Sequence, residues 1–161
     1  MAQTDYYLKI EGIPGESEDS KHKNEIELLS WSWSESNSGS HSSGAGGGAG
    51  KVAMGDFSFM MLANKASPKL MLNCATGQHV PTAVLTARKA GGDQQEYLKI
   101  TLSDVLISSY QTGGSQGDVI PADSVTLNFA KIEFEYKPQM RDGTMGSPVK
   151  VGYDLKANKK I

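Results

Sequence analysis

Glu25-Ile26-Glu27-Leu28-Leu29-Ser30-Trp31-Ser32-Trp33-Ser34-Glu35 is the stretch on which the fold turns. Apolar and polar residues alternate through it, the period-two pattern of a strand with one buried face. The apolar positions begin even (Ile26, Leu28) and continue odd (Leu29, Trp31, Trp33). Successive strand side chains point to opposite faces, so a change of parity needs one extra residue, which a β-bulge supplies. The stretch predicts a long strand bent near its middle. Trp31 and Trp33 then face the core, while Ser30, Ser32 and Ser34 point away from it.

The same period appears on both sides of this stretch. Tyr6, Leu8 and Ile10 alternate with Tyr7, Lys9 and Glu11 until Gly12-Ile13-Pro14-Gly15 breaks the strand, and residues 16–24 form a polar loop. Residues 51–62 resume with Phe57, Phe59 and Met61 on one face. In residues 80–88, Ala83, Leu85 and Ala87 stand opposite Val84 and Thr86, and residues 97–108 place Leu98, Ile100 and Leu102 together. After a loop at 111–118, residues 124–136 start with Val125, Leu127 and Phe129, then shift to Ile132, Phe134 and Tyr136. That is a second change of parity, predicting a second long strand bent at a bulge. The last alternation places Val149, Val151, Tyr153 and Leu155 inward. One helix fits between the strands: Ser67 suits the N-cap, Pro68 the first helical position and Gly77 the end. Leu70 and Cys74 share a face of it, and Cys74 reads as a small core residue rather than a nucleophile.

The expectation is a single, mainly β domain over residues 1–161: a closed or nearly closed β-barrel of bent antiparallel strands with one flanking helix. Its core contains Trp31, Trp33, Phe57, Phe59, Leu127 and Phe129. Residues 36–50 read SNSGSHSSGAGGGAG, a composition with no apolar area to bury, and predict a flexible exposed loop.

Composition narrows the function. With 161 residues, 38% hydrophobic and 21% charged, the chain has the make-up of a soluble globular domain. A net charge of −2 without a basic face argues against nucleic-acid binding, and Lys156, Lys159 and Lys160 read as a solvated tail. Cys74 is the one cysteine, so no intrachain disulfide forms. The first residues lack the basic and apolar regions of a signal peptide, and no apolar run is long enough for a transmembrane helix. The expected location is the cytoplasm at synthesis, with any export left to a dedicated machine.

No catalytic, cofactor or metal constellation emerges. A P-loop ending at Gly50-Lys51 needs Gly where Ala45 stands and Ser or Thr where Val52 stands. The looser pattern of Gly44, Gly46 and Ala49 lacks a following helix to hold a pyrophosphate. His22, His41 and His79 are scattered, Cys74 has no cysteine neighbour, and Asp142-Gly143 lacks the acidic positions of a calcium loop. No serine sits in a nucleophile elbow. The reading is a non-enzymatic protein. Ser30, Ser32 and Ser34 are its most distinctive feature, since a strand showing small hydroxyls outward suits a wall that lines something wet.

Several motifs carry a family resemblance. Gly15-Glu16-Ser17 with Asp19 and His22, then Leu29-Ser30-Trp31-Ser32-Trp33, is similar to the hemolysin-coregulated protein (Hcp) family of type VI secretion systems. Ser67-Pro68-Lys69-Leu70 leading to Cys74 and Gly77 resembles it too. So do Leu85-Thr86-Ala87-Arg88-Lys89-Ala90-Gly91-Gly92, Tyr97-Leu98-Lys99-Ile100-Thr101-Leu102 and Val105-Leu106-Ile107-Ser108-Ser109. Leu127-Asn128-Phe129-Ala130 and Tyr136-Lys137-Pro138-Gln139 complete a series that runs in order along almost the whole chain.

The resemblance implies a phage-tail-tube-like barrel that forms homohexameric rings. Stacked rings would make the inner tube of a contractile injector, with a VgrG-type spike protein at its tip and a contractile sheath around it. Small secreted effectors would be carried and chaperoned in the lumen, and the tube would be expelled without a signal peptide. The chain ends soon after its last strand, so a fused toxin domain is not expected. Within this picture Ser30, Ser32 and Ser34 are candidates for the effector-contacting lumen face. Ser40, His41, Gly44, Gly46 and Gly48 are candidates for an arm that reaches the adjacent ring. Two other classes compete: a monomeric barrel that binds a small ligand, which needs a hollow interior, and a secreted hydrolase, for which no nucleophile stands out.

Overall fold

The computed structural model describes residues 4–38, 51–89 and 94–161. In chain order the strands are β1 (Thr4–Ile10), β2 (Ile26–Glu27), β3 (Ser30–Ser32), β4 (Glu35–Asn37), β5 (Val52–Met54) and β6 (Phe57–Leu62). Helix α1 (Ser67–Thr76) follows, then β7 (His79–Lys89), β8 (Glu96–Gly113) and β9 (Ala122–Asn128). The chain finishes with β10 (Lys131–Tyr136), β11 (Val149–Asp154) and β12 (Lys159–Lys160).

All the pairings are antiparallel. β1 lies between β2 and β7, from Thr4↔Lys89 to Ile10↔Ala83 on the β7 side. β7 pairs with the 18-residue β8, whose other edge takes two partners in turn. Beside its first half runs β10, with β11 and β12 beyond; beside its second half runs β9. β9 continues the ladder to β6, and β6 to β3.

Residues 25–35 are not one bulged strand. They are three short strands with three different partners: β2 on β1, β3 on β6, and β4 on β5 in a separate two-stranded sheet. The parity change falls where the chain changes partner. The Leu28 N–H donates to Tyr6 O at 3.0 Å and the next N–H, of Leu29, donates to Met60 O at 2.8 Å. Consecutive residues thus bond to strands on either side, which carries the circuit β1–β7–β8–β9–β6–β3 back to β1. Leu28 packs against the core, whereas Leu29 is 56% exposed.

Residues 124–136 likewise form two strands rather than one. β9 and β10 are interrupted at Phe129-Ala130, opposite the point where β8 turns through Asp104 at a left-handed φ of 53°. The Ala130 N–H donates to Ser103 O at 3.0 Å and holds the interruption in place. Register shifts do occur, at Ala87/Arg88 and at Ile107/Ser109, where the periodicity gave no warning. β8 also runs on to Gly113, past the expected start of the loop at 111.

The core is filled. Phe57, Phe59 and Leu127 are fully buried and Phe129 is buried beside them. Trp31 and Trp33 are only partly buried; Trp31 stacks on Phe57 at 5.8 Å and Trp33 meets Phe129 at 6.4 Å. Val149 and Val151 share a face with Phe134, as expected, yet they are 65% and 64% exposed. The face is right, but nothing among the described residues covers Val149 and Val151 there. Tyr153 and Leu155 do pack against the core.

Helix α1 starts differently from the expectation. Ala66 occupies the N-cap without a side-chain cap, and Ser67 is the first helical residue. The Ser67 hydroxyl donates instead to the fully buried Asp123 carboxylate at 2.6 Å, which the Tyr110 hydroxyl also bonds at 2.9 Å. Gly77 closes the helix at φ 71°, Leu70 is buried and Cys74 packs against the core. The C-terminal lysines are not a free tail: Lys156 bonds Asp104, and Lys159 and Lys160 make up β12.

Candidate functional site: a hydroxyl face across four strands

Register carries the outward serines of β3 across the sheet. Residues directly opposite in an antiparallel ladder project to the same side. Ser32 pairs with Ser58, Ser58 with Thr126, and Thr126 with Ser109, so one row of four small hydroxyls crosses β3, β6, β9 and β8. The neighbouring row, Trp31–Phe59–Val125–Tyr110, is the inward one. A filled apolar layer therefore backs a polar wall one residue away.

Ser30 and Ser32 are both exposed, as expected of wall residues. Ser30 heads a mixed row that continues through Met60, Ser124 and Gln111. Ser34 is exposed but lies beyond β3, where its carbonyl accepts the Gly55 N–H at 2.9 Å, so the ladder does not bring it into the row. Ser40, His41, Gly44, Gly46 and Gly48 lie outside the described residues.

One carboxylate anchors the wall. Asp56 Oδ2 accepts from the Ser108 hydroxyl at 2.6 Å, and its Oδ1 accepts from Asn128 Nδ2 at 3.0 Å. Ser108 and Thr126 share a further hydrogen bond at 2.7 Å. These groups satisfy one another on the surface, which fixes the hydroxyls without committing them to a reaction. The alternation that singled out Ser32 applies equally to Ser58 between Phe57 and Phe59, and to Thr126 between Val125 and Leu127. Asp56 and Asn128 carry no comparable signal, because they sit at strand ends.

A second polar cluster lies at the outer face of β1 and β7, beneath the loop of residues 14–24. Arg88, almost fully buried, donates Nη1 to Asp19 Oδ1 at 3.0 Å and Nη2 to Asp19 Oδ2 at 2.7 Å. Nη2 also reaches Tyr7 Oη at 2.9 Å. These bonds hold the Asp19 carboxyl well below the usual carboxylate range and the guanidinium above its own. Burial pushes the Tyr7 hydroxyl up. The His22 ring stacks on Tyr7 at 4.4 Å, with Nδ1 3.0 Å from Glu25 and Nε2 2.8 Å from Glu96. Every member has a partner that ties the loop down, so this cluster is architecture. Asp104 forms a smaller one: His79 Nδ1 at 2.8 Å and Lys156 at 2.7 Å lower its carboxyl to about 2.

Among the described residues no three of His, Cys, Asp and Glu come together as a metal site, and no helix is long and apolar enough to cross a membrane. The fold is a mainly β one of antiparallel strands with one flanking helix, and the proteins it is similar to belong to type VI secretion systems. Residues 7–136 match the family described as type VI secretion system effector, Hcp. The chain is 53% identical, over 156 residues and 96% of both chains, to the protein hcp1 of Pseudomonas aeruginosa. A solved type six secretion system protein superposes with a TM-score of 0.93 at 31% identity, covering 99% of this chain and 100% of that one. Hcp1 from Salmonella typhimurium does so with a TM-score of 0.81 at 40% identity, covering all of both chains. The chain belongs to the Hcp family of type VI secretion proteins.

Proposed function

We propose that this chain is the ring-forming subunit of a type VI inner tube: six copies close a ring, rings stack, and the lumen carries small effectors. The observation that carries the reading is the hydroxyl row Ser32–Ser58–Thr126–Ser109 backed by a filled core. A wall of small, solvated groups four strands wide suits the lining of a channel through which polypeptide travels. A VgrG-type spike at the tip, a surrounding contractile sheath, and expulsion from the cytoplasm without a signal peptide belong to the same reading. The chain acts by assembly and not by catalysis.

The monomeric ligand-binding barrel fares worse on the same observation. Phe57, Phe59, Met61 and Leu127 occupy the interior that a ligand would need. Light scattering after size exclusion tests the two directly: the expected mass is six subunits, and a single subunit across a wide concentration range would overturn the ring. Lining is tested separately. Ser32→Trp is expected to leave the ring mass unchanged and to lower effector retention; full retention would remove Ser32 from the lumen.

Stacking is assigned to the Gly/Ser-rich segment 36–50, whose first two residues, Ser36 and Asn37, belong to β4 rather than to the loop expected there. Ordering such a loop costs roughly 1–2 kcal/mol per residue, so rings alone should stack weakly and assemble well only with spike or sheath. Deleting residues 38–48 should abolish tubes while sparing rings, and tubes of normal length would refute the assignment.

A further inference from the structure

The cluster under the loop of residues 14–24 contains a contact that one proton can make or break. His22 is buried, and both of its ring nitrogens face carboxylate oxygens, Nδ1 at 3.0 Å from Glu25 and Nε2 at 2.8 Å from Glu96. A neutral imidazole has one N–H and one lone pair. In that form one nitrogen would turn its lone pair on a carboxylate oxygen, and the contact would repel. With a proton on each nitrogen, both contacts are charge-assisted hydrogen bonds. Two contacts need two protons, and a neutral ring brings one.

The charged groups around the ring come from every element packed there. From the loop, Lys21 and Lys23 are exposed and Asp19 is paired with Arg88 of β7. From β1, Tyr7 stacks on the ring at 4.4 Å and Asp5 is paired with Arg88. Glu27 of β2 stands opposite Tyr7. Among the described residues, His22 is the cationic partner of both Glu25 and Glu96. A charged ring is therefore what balances these two carboxylates.

The two contacts differ in how easily they give way. The Glu25 side chain is 13% exposed and only three residues from His22, so it travels with the loop. Glu96 is 38% exposed and belongs to β8, where it stands opposite Arg88 at the bulged end of the β7–β8 ladder. A ring with one N–H keeps Glu25 and releases Glu96 to water. The loop's other grip on the sheet, Asp19 on Arg88, does not follow. Arg88 holds the Asp19 carboxyl well below the usual carboxylate range, and a guanidinium keeps its charge throughout.

We propose that His22 is a proton-operated latch that pins residues 20–24 to β8 through Glu96 and lets them lift when its second proton leaves. The latch is closed in acid and opens as pH rises. That sense is opposite to the Asp19 grip, which is lost only in acid. Both ties hold in the window between, and above it the loop peels from its His22 end while Asp19 stays on Arg88.

Hydrogen exchange of the full chain, corrected for the chemical exchange rate, tests the latch between about pH 5 and about pH 8, the span over which imidazole changes charge. Protection in peptides covering residues 20–27 should fall about tenfold across it, the effect of losing one charge-assisted hydrogen bond. Peptides within residues 80–87 should not change. Ring nitrogen chemical shifts in histidine-labelled protein should show His22 charged at the acid end and neutral at the alkaline end. His22→Gln should give the low protection at both ends. Glu96→Gln separates a latch from a merely buried histidine, because an amide can donate to the lone pair of a neutral ring; its loop should stay protected at both ends. Equal protection across the span in the parent, a ring that never changes charge, or a tenfold fall that survives in Glu96→Gln would each overturn the latch.

Discussion

Arg88 grips Asp19 through two parallel hydrogen bonds, although 69 residues separate them in sequence. The pair closes the polar loop over the outer face of β1 and β7 and leaves Arg88 with 1% of its surface in water. Arg88 Nε has no partner among the described residues, so the Asp19 bonds carry most of the compensation for burying this charge. Arg88→Ala should therefore cost about 3 kcal/mol or more, the range for breaking a buried pair. Urea unfolding followed by tryptophan fluorescence measures it. Arg88→Lys should recover only part, because an ammonium cannot copy the two-pronged geometry.

Acid should act through the same carboxylate. Asp19 sits well below its ordinary range because of Arg88, and Asp104 sits at about 2 because of Lys156 and His79. In the unfolded chain both titrate near about 3.9. The native state thus binds fewer protons between those values. The stabilisation is complete above about pH 5 and drains away as pH falls through 4 toward the folded values. Denaturation midpoints measured from pH 7 down to pH 3 should fall steadily below pH 5. Asp19→Asn should start lower and show a shallower decline; an unchanged slope would mean that Asp19 is not a source.

Gly15 should tolerate no side chain. A Cβ there would lie 2.5 Å from the Glu25 carbonyl oxygen and 2.8 Å from Ile26 Cα, both backbone. The same turn is tied by the Gly15 N–H to Asn24 O at 2.8 Å and the Ser17 N–H to Glu25 O at 3.0 Å. Gly15→Ala must push the loop off the strand, at a cost of roughly 1–3 kcal/mol. Hydrogen exchange should quicken at Ser17 and Asn24 and stay slow at Leu85.

Core truncation should be more expensive. Phe57 has no surface in water and stacks on Trp31, so Phe57→Ala should cost about 3–5 kcal/mol. Trp33→Phe should cost nearer 1 kcal/mol, the worth of the hydrogen bond from Trp33 Nε1 to Gly55 O. Both are readable from urea midpoints at constant slope.

Alternation made Phe57, Phe59, Leu127, Ser30 and Ser32 legible, because each sits in the middle of a strand whose faces are unambiguous. It failed at Leu29 and Val149 for one physical reason. Parity tells which way a side chain points, and whether another layer covers that face is decided elsewhere in the chain. Arg88 failed in the opposite sense. It points away from the barrel core, yet the loop carrying Asp19 and His22 roofs it over, and a polar loop gives no periodic sign that it will be buried. The two parity changes were visible, but a partner switch and a bulge leave the same mark in a sequence. Only the hydrogen bonds at Leu28 and Leu29 tell them apart.

That switch also sets the order in which the molecule can be completed. Leu28 needs β1 held in place, and β1 finds its long partner only when residues 79–89 exist. Leu29 needs β6, which is itself braced by residues 122–128. The short segment between them can dock only after some three quarters of the chain has left the ribosome. Pairings so distant in sequence form slowly and leave strand edges bare in the meantime. With its single cysteine the chain has no intrachain disulfide to hold an intermediate, so the closing of residues 26–32 onto both neighbours rests on these late hydrogen bonds and on packing alone.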